Sequence, residues 1–230
     1  MGEIASRYSA VTEKMPRELL LLQGRGCFHR ACSFCTYWHD TSAAPYAVNK
    51  PAIEQVTGAS GALDVINSGS AHELDGETLA LLADTVREKN IRTVWFESHY
   101  AYKDRLDEIR ALFPDAHVKF RVGVESFDTG FRERMNKGMP PVTPEEIRKD
   151  FEGVCLLVCI QGQTFEQMEY DARTAARLFE YFSVNVFCPN SSSARFDAEL
   201  FERFRNELYP WLSDLPNCEI LIQNTELGVG

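Results

Sequence analysis

The sequence predicts an α/β protein organised as a partial (β/α)6 barrel, and a rhythm and a count carry that expectation. Short apolar, β-rich runs alternate with helically patterned segments along the 230 residues, which is the order of βα units rather than of separate strand and helix regions. No repeat, low-complexity tract or long linker interrupts the alternation. Parallel strands joined by right-handed helical crossovers either close on themselves or stay open. Six units fall short of the eight that close a full barrel. With 44% hydrophobic residues the chain has apolar surface for one sizeable core, so residues 1–230 are expected to form a single domain.

Strands are read at residues 18–23 (ELLLLQ), 63–68 (LDVINS), 92–98 (RTVWFES), 117–126 (HVKFRVGVES), 153–161 (GVCLLVCIQ) and 183–188 (SVNVFC), with 218–224 (CEILIQN) as a seventh. They are apolar runs of the kind that buried parallel strands show. Helices fall between them. From Thr164 to Phe182, the residues Phe165, Met168, Ala172, Ala175, Phe179 and Phe182 step by three and four and so share one face. Leu79, Leu82, Ala83 and Val86 form a second stripe. Both read as core-facing helix surface.

The formal charge of −10 argues against a large nucleic-acid footprint, which needs clustered Lys and Arg, and favours a small-molecule partner. No run of eighteen apolar residues occurs and the opening residues are polar and mixed in charge, so no membrane partner is read and a cytoplasmic location is expected. Of seven cysteines, Cys155, Cys159, Cys188 and Cys218 lie in apolar, strand-like runs, which suits a reducing compartment.

The other three, Cys27, Cys32 and Cys35, fall within nine residues of GRGCFHRACSFCTYW (24–38), on the loop after the first strand. Barrel active sites are built from such loops. A structural zinc wants a fourth ligand, and His29 sits too close to its neighbours for the usual paired spacing. A four-iron cluster held by three thiolates instead keeps one iron open. That iron can chelate the amino and carboxylate groups of S-adenosylmethionine, whose reductive cleavage yields a 5′-deoxyadenosyl radical.

On these residues the chain resembles the radical S-adenosylmethionine superfamily, with one residue more than the usual signature between Cys27 and Cys32. Lengthening a flexible loop by one residue costs little. The resemblance covers nearly the whole chain and implies a barrel of the radical SAM type, with a 4Fe-4S cluster on Cys27, Cys32 and Cys35. It also implies an external electron donor such as flavodoxin or ferredoxin. Phe34 corresponds to the aromatic that packs near the adenine, and Phe187 in VFCPN to the sixth-strand segment that touches it. Asn67, Ser68, Gly69 and Ser70 stand where the family binds the methionine amino group; the alternative is a plain βα turn. Gly69 permits the close backbone approach that such binding needs.

In KFRVGVES, strand alternation puts Lys119, Arg121, Gly123 and Glu125 on one face. Buried charges need partners, so Arg121 is expected to pair with a carboxylate and Glu125 to hold the ribose hydroxyls; the alternative is a mutual Arg121–Glu125 pair. Glu97 and His99, of one parity with Trp95 at the end of the third strand, are candidates for substrate chemistry. Asp40 is a further candidate carboxylate. Tyr37, Trp38, Tyr46, Tyr100 and Tyr102 offer a stacking surface for a flat heterocycle. Carboxylates can accept from both the ring N–H and the exocyclic amine of a guanine-like ring.

Within the superfamily, the small barrel and the C-x4-C-x2-C spacing with its CTYW tail resemble the queuine lyase group. That resemblance implies release of 7-aminomethyl-7-deazaguanine from queuine by C–N cleavage. The alternatives are an archaeosine-type lyase acting on modified tRNA, and a non-catalytic iron–sulfur or zinc protein. The acidic balance favours a free base. An incompletely closed barrel leaves a side that a second copy would cover, so a homodimer is expected.

Overall fold

The computed structural model describes residues 6–230. In chain order its elements are β1 (Tyr8–Val11), β2 (Arg17–Leu22), α1 (Pro45–Ile53), β3 (Ala62–Asn67), α2 (Gly76–Glu88), β4 (Thr93–Glu97), α3 (Leu106–Arg110) and β5 (His117–Glu125). There follow α4 (Thr129–Arg134), α5 (Pro144–Arg148), β6 (Gly153–Val158), α6 (Phe165–Leu178), β7 (Tyr181–Val186), α7 (Ala198–Arg203), α8 (Tyr209–Ser213) and β8 (Cys218–Leu221). The strands lie in one sheet in the order β1 to β8. β1 runs antiparallel to β2, and the paired neighbours β2–β3, β3–β4, β5–β6, β6–β7 and β7–β8 are parallel. An order without reversal belongs to a barrel wall rather than to a doubly wound sheet. Strands β2 to β7 with their connecting helices are the six units of a partial (β/α)6 barrel.

The contacts resolve into two compact units: residues up to Arg30 with 37–120 and 227–230, and residues 31–36 with 121–226. In the first, β2 and β3 are buried on both faces, with Leu19, Leu20 and Leu22 on β2 and Leu63 and Val65 on β3, whereas β4 alternates, burying Val94 and Phe96. Phe96 stacks on Phe120 at 6.1 Å between ring centres. Arg17 Nε meets Asp64 Oδ2 at 2.9 Å with both side chains buried. In the second unit Val122, Val124, Val154, Leu156, Val184 and Val186 supply the buried strand face, and Met168, Ala172 and Ala175 the buried stripe of α6. Thr164 caps that helix, its hydroxyl accepting from Gln167 N–H while Gln167 Oε1 accepts from Thr164 N–H.

Two elements depart from the sequence reading. β1 was not expected, because four residues of mixed character carry too short a pattern; its place comes from pairing Tyr8–Val11 against Leu20–Arg17. The stripe read from Thr164 to Phe182 is not one helix. The helix ends at Leu178, Phe179 is extended (φ −108°, ψ 146°), and Phe182 belongs to β7, opposite Val154 and Cys218. Both phenylalanines are buried, so the spacing passes from helix to strand without an apolar gap.

Candidate functional site

Cys27 belongs to the first unit, and Cys32 and Cys35 to the second. The chain leaves β2 through Gln23, whose N–H donates to Asn49 Oδ1 at 2.7 Å and whose C=O accepts from Asn49 Nδ2 at 2.8 Å. Gly24 then bridges to Thr41, and a Cβ there would stand 2.9 Å from the Glu73 carbonyl oxygen. Glu73 is a residue the sequence reading missed. Its carboxylate accepts from the N–H of Phe28 and of Ser70 (2.6 Å), its carbonyl accepts from Arg25 N–H (2.8 Å), and Tyr102 Oη donates to the carboxylate at 3.4 Å. Burial raises this carboxyl above its ordinary range, and burial with the nearby Glu73 raises the Tyr102 phenol. The signal available in the sequence was S-x-x-E, Ser70 to Glu73, which forms a capping box.

The NSGS turn presses on this arrangement. A side chain at Gly69 would overlap Glu73 Oε2 and come within 3.1 Å of Cys27 Cα. Asn67 is 8% exposed; its Nδ2 donates to Ser70 O at 3.1 Å, and its Oδ1 has no hydrogen-bond partner among the described residues. The buried Ser98 hydroxyl is in the same condition. His99, next along, uses Nδ1 to accept from Ala101 N–H at 3.2 Å, so the neutral ring carries its proton on Nε2. Its ring stacks on His29 (5.7 Å, 20°) and meets the edge of Phe28, which is 51% exposed. Glu97 is half-buried at the end of β4, of one parity with Trp95, over which Lys119 Nζ lies at 5.4 Å.

Asp40, the further candidate carboxylate, is held by its neighbours. Its carboxylate takes Arg7 through two bonds of 2.7 and 3.0 Å and Gln23 Nε2 at 2.7 Å. A bidentate Arg and a buried amide use three of its acceptor sites, so Asp40 is a brace between Arg7, just before β1, and the exit of β2. Among the expected stacking aromatics, Tyr37 is 55% exposed, Tyr100 is buried, and Tyr102 stacks on His72 at 4.6 Å.

In the second unit Cys35 N–H donates to Cys32 O at 3.3 Å, closing a turn around the two thiols. Ser33 N–H donates to Met135 O (3.0 Å), and the carbonyls of Ala31 and Phe34 accept from Asn136 Nδ2 (2.8 Å) and Asn190 Nδ2 (3.0 Å). Phe34 and Phe187, placed near an adenine by resemblance, come together in one apolar cluster with Phe131, Leu157 and Ile160. β5 ends irregularly: its register with β6 shifts between Gly123 and Glu125, and Glu125 has φ 63°. That backbone is unusual for a side chain other than Gly or Asn. It delivers Glu125 Oε1 to Lys137 Nζ at 2.7 Å, with both residues 8% exposed. Glu125 pairs with Lys137, and the Arg121 guanidinium lies 5.4 Å from the Tyr181 ring centre. Burial alone would push the Lys137 ammonium down, but Glu125 and the Cys32 and Cys35 thiols outweigh it and hold the group above its ordinary value.

The three cysteines are free thiols, each half-buried. Among the described residues no set of three or more His, Cys, Asp and Glu is gathered as for a single metal ion. A four-iron cluster takes each thiolate at a different corner, so the soft thiol donors of Cys32 and Cys35, close in sequence to a third at Cys27, suit it better than they suit one zinc. A cavity of about 420 Å³ lined by Asp128, Glu166, Tyr170 and Asp171 among others holds none of the expected site residues.

No protein-family model and no curated protein matches the chain. Among solved structures, it is similar to queuine lyase from Clostridium spiroforme bound to SAM and queuine, with a TM-score of 0.93 and 35% identity over 97% of this chain and 98% of that one. Likeness at that identity along nearly the full length of both chains carries the family as well as the fold. The chain belongs to the queuine lyase family of radical S-adenosylmethionine enzymes.

Proposed function

We propose that this chain is a radical SAM lyase that cleaves the C–N bond of queuine to release 7-aminomethyl-7-deazaguanine, using a 4Fe-4S cluster on Cys27, Cys32 and Cys35. The observation that carries this is the full-length likeness to a queuine lyase holding SAM and queuine. The cluster supplies the electron that cleaves S-adenosylmethionine to the 5′-deoxyadenosyl radical. The chain's own residues bind and orient. Asn67 Oδ1, a buried acceptor still lacking a donor, suits the methionine ammonium, with Ser68, Gly69 and Ser70 forming the turn around it, since such acceptors are rarely left unmet. Phe34 and Phe187 give the adenine an apolar seat. Lys137 takes one oxygen of Glu125, and a carboxylate keeps further lone pairs for ribose hydroxyls. Arg121 offers a cation to a carboxylate. Glu97 is assigned to the N–H edge of the deazaguanine, and His99, with Nε2–H outward of its capping bond, to a donor contact on the substrate. Asp40 braces the loop and keeps an acceptor site for the substrate.

This reading makes the chain one catalytic domain, cytoplasmic and homodimeric, fed by an external donor such as flavodoxin or ferredoxin. Seven free thiols suit a reducing compartment, and no helix among the described residues is long and apolar enough to cross a membrane. The test is anaerobic: reconstituted protein, a strong reductant, S-adenosylmethionine and queuine deuterated on its cyclopentenyl portion. 7-Aminomethyl-7-deazaguanine and deuterated 5′-deoxyadenosine are expected together. Absence of both overturns queuine as substrate, and turnover of a modified tRNA in its place would install the archaeosine-type reaction.

A further inference from the structure

Met135, Asn136 and Lys137 are consecutive residues of the turn after α4, and each reaches the segment from Ala31 to Cys35 with a different group. Met135 O accepts from Ser33 N–H (3.0 Å) and Ser33 Oγ (3.2 Å), Asn136 Nδ2 donates to Ala31 O (2.8 Å), and Lys137 Nζ lies 5.8 Å from the Phe34 ring centre. Left-handed backbone at Asn136 (φ 52°) and Gly138 (φ 69°) forms the turn. Gly123 leaves the room for its cation: a Cβ there would stand 3.2 Å from Lys137 Nζ and 2.9 Å from Glu125 Oε1. A buried ammonium is costly to desolvate even when paired. Holding the fold together does not require one here, because Met135 and Asn136 already fix the loop backbone.

We propose that Lys137 is a positioning residue that sets the reduction potential of the iron–sulfur cluster, its fixed charge beside Cys32 and Cys35 favouring the reduced state and Glu125 acting as counterweight. The inference rests on the cluster assignment above. Reduction adds one electron to the cluster and its thiolates. A nearby cation stabilises that added negative charge, and in a low-dielectric surrounding the effect is barely screened. Glu125 opposes it, so the two substitutions should move the potential in opposite directions. The placement is geometric: Lys137 Nζ lies 5.8 Å from the Phe34 ring centre, and its turn is tied to Ala31 and Ser33, on either side of Cys32.

The test uses full-length, anaerobically reconstituted wild type, Lys137→Met, Lys137→Arg, Glu125→Gln and the Lys137→Met/Glu125→Gln double variant. Iron and sulfide are assayed, and the cluster is titrated reductively with EPR detection and no S-adenosylmethionine present. Lys137→Met should keep its iron and show a reduced-to-oxidised ratio about tenfold lower at a fixed poise, equivalent to ~59 mV for one electron. Lys137→Arg should sit near wild type, Glu125→Gln should shift positive, and the double variant should fall between Lys137→Met and wild type. A loaded Lys137→Met with the wild-type potential overturns the inference and leaves the cluster assignment standing. Should Lys137→Met lose its iron, Glu125→Gln decides, and a potential at or below wild type overturns the inference. A wild type that binds no iron overturns the assignment and the inference with it.

Discussion

Around Cys27 the buried charge is a carboxylate, whereas around Cys32 and Cys35 it is an ammonium. Glu73 accepts backbone N–H groups, from Phe28 and Ser70. In the other unit the contacts to the loop carbonyls run the opposite way, with the amides of Asn136 and Asn190 donating to Ala31 and Phe34 and Lys137 close by. Both segments leave N–H and C=O groups over, because neither lies within a strand ladder. What differs is the side chain that meets them: Glu73 takes N–H groups in the first unit, where Arg30 takes the Cys27 carbonyl, and Asn136 and Asn190 take carbonyls in the second, where Ser33 N–H is met by Met135 O. In both cases the protein holds the loop by its backbone, which keeps the thiols themselves for ligand duty.

The comparison breaks most completely at the thiols. Replacing Cys27, Cys32 or Cys35 by Ala should abolish cluster binding, while Cys155→Ala and Cys159→Ala keep it; burial raises the Cys159 thiol to about 12, where it behaves as a small hydrophobe. Iron and sulfide analysis decides, and a full cluster in any of the first three variants would sink the ligand set. Next comes Glu73→Ala. Two charge-assisted hydrogen bonds at roughly 1.5–3 kcal/mol each are lost, offset in part because the carboxylate is no longer desolvated. A net loss of roughly 3 kcal/mol in urea unfolding, with weaker iron retention, is expected, and wild-type stability would show that the Cys27 side stands without its carboxylate.

The second unit allows a pH test. Asp171 accepts from Phe127 N–H at 2.9 Å, two residues before α4, the helix that leads into the Lys137 turn. Burial pushes its carboxyl from 3.8 up to about 6. The folded state therefore binds this proton more tightly than the unfolded chain. Its contribution to stability is full below about pH 4 and is lost as pH rises through 6. Asp171→Asn keeps an acceptor for Phe127 and removes that loss. The variant should gain about 2 kcal/mol on wild type between pH 4.5 and pH 7.5 in urea melts, out of the ~3 kcal/mol that two pK units carry at 1.36 kcal/mol each, because pH 4.5 already lies above the unfolded value of 3.8. An advantage that does not change with pH would contradict this. The smallest effect is Asn136→Gly, which removes the exposed side-chain bond to Ala31 while accepting the left-handed backbone. About 1 kcal/mol is expected, with the cluster retained. Loss of the cluster in that variant would mean that the carbonyl contacts matter more than the comparison allows.

Much of the fold was legible because buried parallel strands are written as contiguous apolar runs. The six expected strands and the seventh all recur within a few residues of their expected bounds. β1 was not legible, since its four residues gain meaning only against β2, and the end of α6 was hidden because Phe179 and Phe182 continue the apolar spacing across the helix–strand junction. At the site, the sequence could group Cys27, Cys32 and Cys35 and could mark NSGS, because neighbours along the chain stay neighbours in space. It could not pair charges over distance. Glu125 was weighed against Arg121, four residues away, but the bulge at Gly123 and the left-handed Glu125 turn the carboxylate toward Lys137. Asp40 could be marked as a candidate carboxylate, but its bonds to Arg7 and Gln23 could not be read from the order of residues.

By itself, then, the sequence determined the βα order, the apolar faces and the three-thiol loop, all of which depend on local spacing along the backbone. Only the tertiary structure decided which buried charges neutralise one another and which polar atoms, such as Asn67 Oδ1, are left with nothing to bind. The physical reason is that desolvation and Coulomb pairing depend on distances through space. Those distances are set by strand register, bulges and turns, and the order of residues does not contain them.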